Sequence, residues 1–331
     1  MFKRVMVATD LSLTSDELVG GLAGLANWGA EEIALAYASD FATREGSSSG
    51  AGSRNAVMED RVQRELDRLE GQKRILEQSG LSVSTHHVIG RPDGVLTKLA
   101  ESWAANLLIL GLRRTSLARN IALGSTAFEI LRYSSVPVLL VRPEVGVPDA
   151  DQREFSGRND SRRKILFATD FSPAADEAFS TLQELVRDRQ YDVALLHVLT
   201  RNAEPAPGVS EHLERLGGDI RRAGSEARVV LRLGDPAMEI LKACEEYGAL
   251  LLVMGTNAKG VVGEFFAGSV SQAVARQARL PVLLVRGALE RGRGRLLSKW
   301  QERRGEGRGW ISRQDAAGAR PQSEPANVRI A

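Results

Sequence analysis

Residues 4–12 read RVMVATDLS, and a closely similar stretch, KILFATDFS, returns at residues 164–172. In both, four apolar residues precede Thr-Asp-x-Ser, a pattern that predicts a buried strand followed by a polar turn. The same spacing relates residues 33–36 to residues 193–196 further along the chain. Internal repetition of this kind predicts two copies of one folding unit.

Beyond these strands the repeat continues with a different offset. Residues 90–142 align without a gap to residues 234–286, with 17 identities in 53 positions. The offset falls from 160 to 144, so the first copy carries 160 − 144 = 16 additional residues between its second and third strands. The Gly/Ser-rich stretch Arg44–Asn55 is predicted to hold most of them as a flexible loop.

Each copy alternates short runs of Val, Ile and Leu with segments of helical periodicity. One such segment is Asp60–Glu77, where Val62, Leu66, Leu69 and Ile75-Leu76 fall near one helix face. Alternating strands and helices predict an α/β fold, a parallel sheet with helices on both faces in each copy. The predicted strands lie near residues 3–8, 32–37, 81–88, 106–110 and 137–142, and near residues 164–169, 192–198, 227–233, 249–254 and 281–286.

Composition divides the 331 residues into four parts. Domain one spans residues 1–142, a Pro- and charge-rich linker residues 143–163, and domain two residues 164–286. Residues 287–331 form a basic tail with ten Arg/Lys and five Asp/Glu, a local charge of +5. Because the whole chain carries +2, the remainder sums to 2 − 5 = −3. The tail is predicted to be disordered.

Several functional classes are excluded by composition. A single cysteine, Cys244, allows neither an intrachain disulfide nor a multi-cysteine metal site. No apolar run approaches the roughly 20 residues of a transmembrane helix. The N-terminus enters a strand pattern at once, without a signal peptide, so we expect a cytoplasmic protein. Trp300 and Trp310 are the only aromatic residues among the charged residues of the tail. We therefore do not expect the tail to bind nucleic acid or membranes.

Polar and glycine residues gather where the first and fourth strands of each copy end. Ligands of open parallel sheets bind beyond the carboxyl ends of the strands. Glycine permits close approach of a phosphate, and a helix N-terminus favours an anion. A carboxylate at the same edge could accept hydrogen bonds from ribose hydroxyls or an adenine amine. The residues concerned are Asp10, Gly111, Gly124, Ser125 and Thr126, and Asp170, Gly255, Gly268, Ser269 and Val270.

These motifs carry a resemblance to a known family. Ala-Thr-Asp-x-Ser after strand one, Gly-x-Pro before helix three, the Gly-Ser loop and the final Pro-Val-Leu-Leu-Val strand occur in order, twice. Both copies resemble universal stress protein domains, over nearly all of residues 2–142 and 164–286. The resemblance implies two doubly wound domains, each a five-stranded parallel sheet of order 3-2-1-4-5. It also implies pairing through the last strands, Pro137–Arg142 with Pro281–Arg286 within one chain, or with a second copy in a homodimer.

The resemblance further implies an adenine-nucleotide-binding regulator of a stress response without dedicated catalysis. The family's ATP-binding motif, Gly-x2-Gly-x9-Gly-Ser/Thr, has lost its middle glycine here, to Arg114 in one copy and Ala258 in the other. If that position needs a positive φ, a Cβ costs about 1–2 kcal/mol. Arg114 could block the pocket or clamp a phosphate.

The predicted ligand is ATP or AMP, with Mg²⁺ accompanying ATP. The resemblance implies an adenine contact from Ala38 in the first copy and from Val198 in the second. Because Val198 is larger than Ala38, and Ala258 obstructs the site less than Arg114, the second copy is the stronger candidate. The predicted contacts are Asp10, Ala38, Leu110, Gly111, Arg114, Gly124, Ser125 and Thr126 in the first copy, and Asp170, Val198, Met254, Gly255, Ala258, Gly268, Ser269 and Val270 in the second.

Structural roles are the alternative for the same residues. The glycines could serve turns or helix packing, the two serines could be N-caps, and the two aspartates could be N-caps or could hydrogen-bond within loops. His86 and His87 point to opposite faces of one strand and cannot readily share a metal, and His197 is expected in the core. No nucleophile–base pair, metal-ligand cluster or Walker lysine is present, so we expect no enzymatic activity. The alternative function is a nucleotide-free protein–protein interaction module acting through its surface and tail.

Overall fold

The computed structural model describes residues 2–40, 51–112, 124–143, 145–147, 163–187, 189–200, 208–256 and 269–287, with the backbone alone for residues 51–56. The predicted tail beyond Gly287 and most of the predicted linker lie outside these ranges. So do three candidate site residues, Arg114, Ala258 and Gly268. Arg163, predicted as the end of the linker, is the first residue of a strand.

Both copies have the predicted strands, all within two residues of the expected bounds. The first copy holds β1 (Arg4–Thr9), β2 (Glu32–Ser39), β3 (Ser82–Ile89), β4 (Leu107–Gly111) and β5 (Val138–Val141). The second holds β6 (Arg163–Ala168), β7 (Tyr191–Leu199), β8 (Glu226–Leu233), β9 (Leu251–Thr256) and β10 (Val282–Arg286). Within each copy the strands are parallel in the order 3-2-1-4-5, which confirms the predicted fold.

The two five-stranded sheets are joined into one sheet of ten strands. Strand β10 pairs antiparallel with β5, Leu283 lying opposite Leu139. We call this strand pair the seam. It covers one otherwise exposed edge of each copy, which is the usual liability of an open sheet. Because the seam is antiparallel and every other pairing is parallel, the strands of the two copies run in opposite directions.

Helices cover both faces of this sheet. One face carries α1 (Leu13–Gly20), a 3-10 turn (Ala23–Trp28), α2 (Ala51–Glu77), α5 (Pro173–Val186) and α6 (Val209–Arg222). The other carries α3 (Pro92–Ser102), α4 (Ser125–Tyr133), α7 (Pro236–Tyr247) and α8 (Ser269–Gln277). On each face one apolar core continues across the seam, through Leu139 and Leu283 on the first and Leu140 and Val282 on the second. Among the described helices, none has the length and apolar character needed to cross a bilayer.

Helix α2 departs from the prediction in extent and in the residues it buries. It begins at Ala51, so the last five residues of the predicted loop Arg44–Asn55 are helical. Charge pairs four residues apart support this end of the helix, such as Asp60 with Arg64 at 2.7 Å. Its buried residues are Glu65, Leu69, Gln72 and Leu76, whereas Val62 and Leu66 are only partly covered.

The start of the linker is docked on α1. The amide of Val147 donates to the carbonyl of Gly21 at 2.9 Å, and the Val147 side chain is buried in the core. Gly146 adopts a φ of +66° and lies against Gly21. Close contact between two glycine backbones therefore fixes how the chain leaves the first copy.

We expect Gly21→Ala to destabilise the first copy by about 1–3 kcal/mol, because the new Cβ would lie 2.9 Å from the Gly146 Cα. Gly20→Ala is the matched control, since a Cβ on this exposed helical neighbour meets nothing within 4 Å. The control should be neutral or stabilising. Thermal unfolding of the two variants measures the difference, and equal midpoints would contradict the proposed packing.

Candidate functional site

Each copy has a cavity at the carboxyl edge of its strands, where the sequence predicted a site. The cavity of the first copy, cavity one, measures about 370 Å³, and that of the second copy, cavity two, about 260 Å³. The strands of the two copies run in opposite directions. The carboxyl ends of the strands, and with them the two cavities, therefore lie on opposite sides of the ten-stranded sheet along the strand direction.

Cavity one brings together every predicted site residue of its copy that the structure describes. Apolar residues of α3 complete its wall, Pro92 from the Gly-x-Pro motif and Leu96. The sequence did not predict Tyr37 or Thr9, which also line it. The predicted residues present are Asp10, Ala38, Leu110, Gly111, Gly124, Ser125 and Thr126.

Cavity two has the same construction from the equivalent elements. Its apolar wall is completed by Ile240 of α7, and His197 and Ser271 line it without having been predicted. The predicted residues present are Asp170, Val198, Met254, Gly255, Ser269 and Val270. Ala258 and Gly268 lie outside the described residues.

The two aspartates after β1 and β6 hold a tight turn. Asp10 Oδ1 accepts from the Ser12 amide at 2.9 Å, and Asp170 Oδ1 accepts from the Ser172 amide at 3.0 Å. The serines in turn cap α1 and α5. The residue between the aspartate and the serine has a positive φ in both copies, 56° at Leu11 and 58° at Phe171. The motif Thr-Asp-x-Ser therefore has a structural role, and it presents both carboxylates at the cavity edges.

Each cavity also receives the N-terminus of a helix. Gly124 is the N-cap of α4, and Ser125 is the first helical residue. Ser269 is likewise the first residue of α8. The N-cap interpretation is therefore wrong for Ser125. The unpaired amides and the positive end of the helix dipole give both cavities an anion-attracting side.

The two strand-four glycines differ in what surrounds them. Gly255 lies inside β9, one residue before its end, and a Cβ there would lie 2.5 Å from the backbone of Ala174 and Ala175. A Cβ at Gly111 would instead meet the end of the Leu18 side chain at 2.8 Å. Gly255 therefore serves close packing of α5 on the sheet, rather than a strand-ending turn.

A buried carboxylate behind cavity one was missed from the sequence. Glu65 accepts hydrogen bonds from Tyr37 Oη at 3.2 Å, Ser39 Oγ at 2.5 Å, Arg61 Nε at 2.9 Å and His87 Nε2 at 3.0 Å. Burial raises the pKa of Glu65, but the hydrogen bonds outweigh burial and the pKa lies below the ordinary value. Tyr37 thus links this carboxylate to the cavity wall.

Gln72 makes a second polar link between α2 and the same cavity. Thr9 Oγ1 donates to Gln72 Oε1 at 2.7 Å, and Gln72 Nε2 donates to Ser15 Oγ at 2.9 Å and to Asp16 Oδ1 at 2.5 Å. Thr9 and Ser15 both line cavity one. Polar residues at seven-residue spacing within an otherwise buried helix face were the available signal for Glu65 and Gln72.

The other singled-out side chains have structural surroundings. His86 and His87 face opposite sides of β3 as predicted, His86 against Trp103 and His87 on Glu65. Burial lowers the pKa of His86. The expectation that His197 lies in the core is wrong, because its side chain is half-buried, lines cavity two and donates from Nδ1 to the Thr169 carbonyl at 2.8 Å. Burial raises the pKa of Cys244 to about 12, so this thiol is unreactive at neutral pH.

Comparison with known proteins supports the repeat and the fold. The model of the universal stress protein family matches residues 1–142 and 161–286. A universal stress protein of Mycolicibacterium smegmatis is 30% identical over 223 residues, covering 63% of this chain and 71% of that protein. One of Mycobacterium tuberculosis is 27% identical over 232 residues, covering 65% and 74%. A solved universal stress protein of Archaeoglobus fulgidus, 23% identical, has the same fold, with a TM-score of 0.69 over 87% of this chain and 100% of that chain.

Proposed function

The chain belongs to the universal stress protein family, and from this premise we propose that it binds an adenine nucleotide, ATP or AMP, in each of its two cavities. Binding would regulate a stress response without dedicated catalysis. The observation that carries the proposal is the pairing, in both copies, of an apolar wall with a helix N-terminus at one sheet edge.

The apolar wall suits the base of the nucleotide. In cavity two, Val198, Ile240 and Met254 supply this surface, and in cavity one Ala38, Leu96 and Leu110 take their place. Ligand pockets generally combine such walls with a few polar groups that set orientation. Asp10 and Asp170 supply these groups, as carboxylates able to accept from ribose hydroxyls or an adenine amine.

The helix N-termini suit the phosphates. The first amides of a helix generally lack intrahelical partners, and Ser125 and Ser269, the first residues of α4 and α8, add hydroxyl donors at the cavity walls. Any Mg²⁺ would be bound chiefly by the phosphates of ATP. Among the described residues, no group of three or more His, Cys, Asp or Glu side chains could hold a metal ion.

The second copy remains our stronger candidate, although cavity one is larger. The ranking rests on two differences in side-chain size. Ala258 is smaller than Arg114 and would obstruct the phosphates less, and Val198 offers the base more apolar surface than Ala38. The volumes bear on how large a ligand fits, whereas these residues bear on how tightly phosphate and base are held. Binding to each copy therefore has to be measured separately.

The direct test uses the full chain. Nucleotide released by acid from the purified protein is identified by mass spectrometry, and the stripped protein is titrated with ATP and AMP by calorimetry. Heat from two sites per chain supports the proposal. Absence of both released nucleotide and binding at millimolar ligand would overturn it in favour of the nucleotide-free interaction module.

Ser269→Asp should abolish measurable ATP binding to the second copy, a loss of far more than the tenfold that corresponds to about 1.4 kcal/mol, because a carboxylate would occupy the anion-attracting helix end. The fold should tolerate the change, since an acidic residue in the first turn stabilises a helix. Ser125→Asp is the equivalent change in the first copy, and Ser269→Asn is the uncharged control. Unchanged affinity in Ser269→Asp by calorimetry would place the phosphates elsewhere.

A further inference from the structure

Two buried arginine side chains, one from each copy, extend across the seam and contact the other copy. Arg142 follows β5, and Arg286 ends β10. Their exposed fractions are only 3% and 8%. Buried cations are rare unless their donors are paired, so the groups they bind identify their role.

Each arginine binds the end of a helix that belongs to the other copy. Arg142 donates from Nε to the Ala278 carbonyl at 2.6 Å and also from Nη2 to the same oxygen. Ala278 directly follows α8. Arg286 donates from Nη1 to the Ser134 carbonyl at 3.4 Å, and Ser134 is the C-cap of α4.

Antiparallel pairing explains the reciprocity. Val282 lies opposite Leu140, so the end of β5 lies beside the start of β10, which comes directly after α8. The same holds for the end of β10 and the start of β5, which follows α4. The last carbonyls of a helix lack intrahelical partners and carry negative potential, which a cation stabilises. Each copy therefore caps the site helix of the other.

We propose that Arg142 and Arg286 are positioning residues that act across the seam, each holding the helix whose N-terminus forms the other copy's nucleotide site. The inference rests on the proposed function, because it concerns the same two cavities. Helices α4 and α8 are only nine residues long, so a displaced C-terminus moves the amides at the N-terminus as well. The second site is thus incomplete without Arg142, and the first without Arg286.

The test is a crossed pattern of nucleotide affinity in the full chain. Ser125→Asp silences the first site, and Arg142→Met in that background should weaken ATP binding at the second site about tenfold. In the Ser269→Asp background, Arg142→Met should change binding at the first site less than twofold. Arg286→Met should show the reverse pattern. Arg142→Lys, which retains a cationic donor, should recover most of the lost affinity.

Affinity losses confined to the arginine's own copy, or equal in both, would overturn the proposal. A readout without ligand keeps it separate from the proposed function. By hydrogen exchange, Arg142→Met should speed exchange at the Ala278 amide, which bonds the Val274 carbonyl, and leave the Ser134 amide unchanged. Arg286→Met should speed exchange at the Ser134 amide and leave the Ala278 amide unchanged. If no nucleotide binds, this crossed exchange alone supports the capping across the seam, and its absence overturns it.

Discussion

Gly255→Ala is expected to destabilise the second copy by at least about 3 kcal/mol. The added Cβ would lie 2.5 Å from the backbone of Ala174 and Ala175, and a backbone cannot rotate away as a side chain can. Helix α5 would have to lift from the sheet, although Ala175 is part of the turn that Ser172 caps. We expect the thermal midpoint to fall by roughly 6–12 °C.

The first copy offers the matched control at the equivalent position. Gly111→Ala places its Cβ against the end of the Leu18 side chain, which can change rotamer, so we expect a loss of about 1 kcal/mol. Both variants are compared by calorimetry and by denaturant titration. Equal losses would show that close packing of α5 does not set the requirement for glycine in β9.

Glu65→Gln should destabilise the first copy by about 2 kcal/mol at neutral pH. The substitution removes the charge from a buried oxygen pair that accepts four hydrogen bonds, and bonds to charged groups contribute more than neutral ones. Glu70→Gln on the same helix is the control, because Glu70 is 43% exposed, its ion pair with Lys73 spans 3.7 Å, and a glutamine keeps an oxygen that accepts from the Thr85 hydroxyl. The control should change stability by less than about 0.5 kcal/mol.

The effect of Glu65 should depend on pH in a defined direction. Because its pKa in the folded chain is lowered, its stabilisation is complete above the ordinary pKa of 4.5 and is lost as the pH falls through the lower folded value. The stability difference between wild type and Glu65→Gln should therefore shrink in acid. Urea titrations from pH 7 to pH 3 measure it, and a constant difference would mean that ionisation of Glu65 does not stabilise the fold.

Most of the fold could be predicted because its signals are local and occur twice. The repeated Thr-Asp-x-Ser turn and the apolar runs placed all ten strands, and the buried strand pattern indicated a sheet covered on both faces. The beginning of α2 could not be predicted, since Gly52 and Ser53 favour a loop while ion pairs later in the segment stabilise the helix.

The sequence identified residues at the strand ends that line the two cavities, but not the side chains that hold those residues in place. Glycine, serine and aspartate at strand ends are recognisable by type and position. Apart from Arg61, the partners of Glu65 and Gln72 are at least 22 residues away in the sequence, on β1, β2, β3 and α1, and such pairings are set by tertiary packing. The arginine caps likewise needed the register of the seam, which places Arg142 beside Ala278 only once β5 and β10 are aligned.

The seam has a thermodynamic consequence for the molecule. When two separate chains pair through edge strands, their stability depends on protein concentration by mass action, and dilution separates them. Here both strands belong to one chain, so closing the sheet is a unimolecular event with a fixed effective concentration. The arginine caps across the seam are therefore formed within one molecule, and dilution of the protein does not remove them.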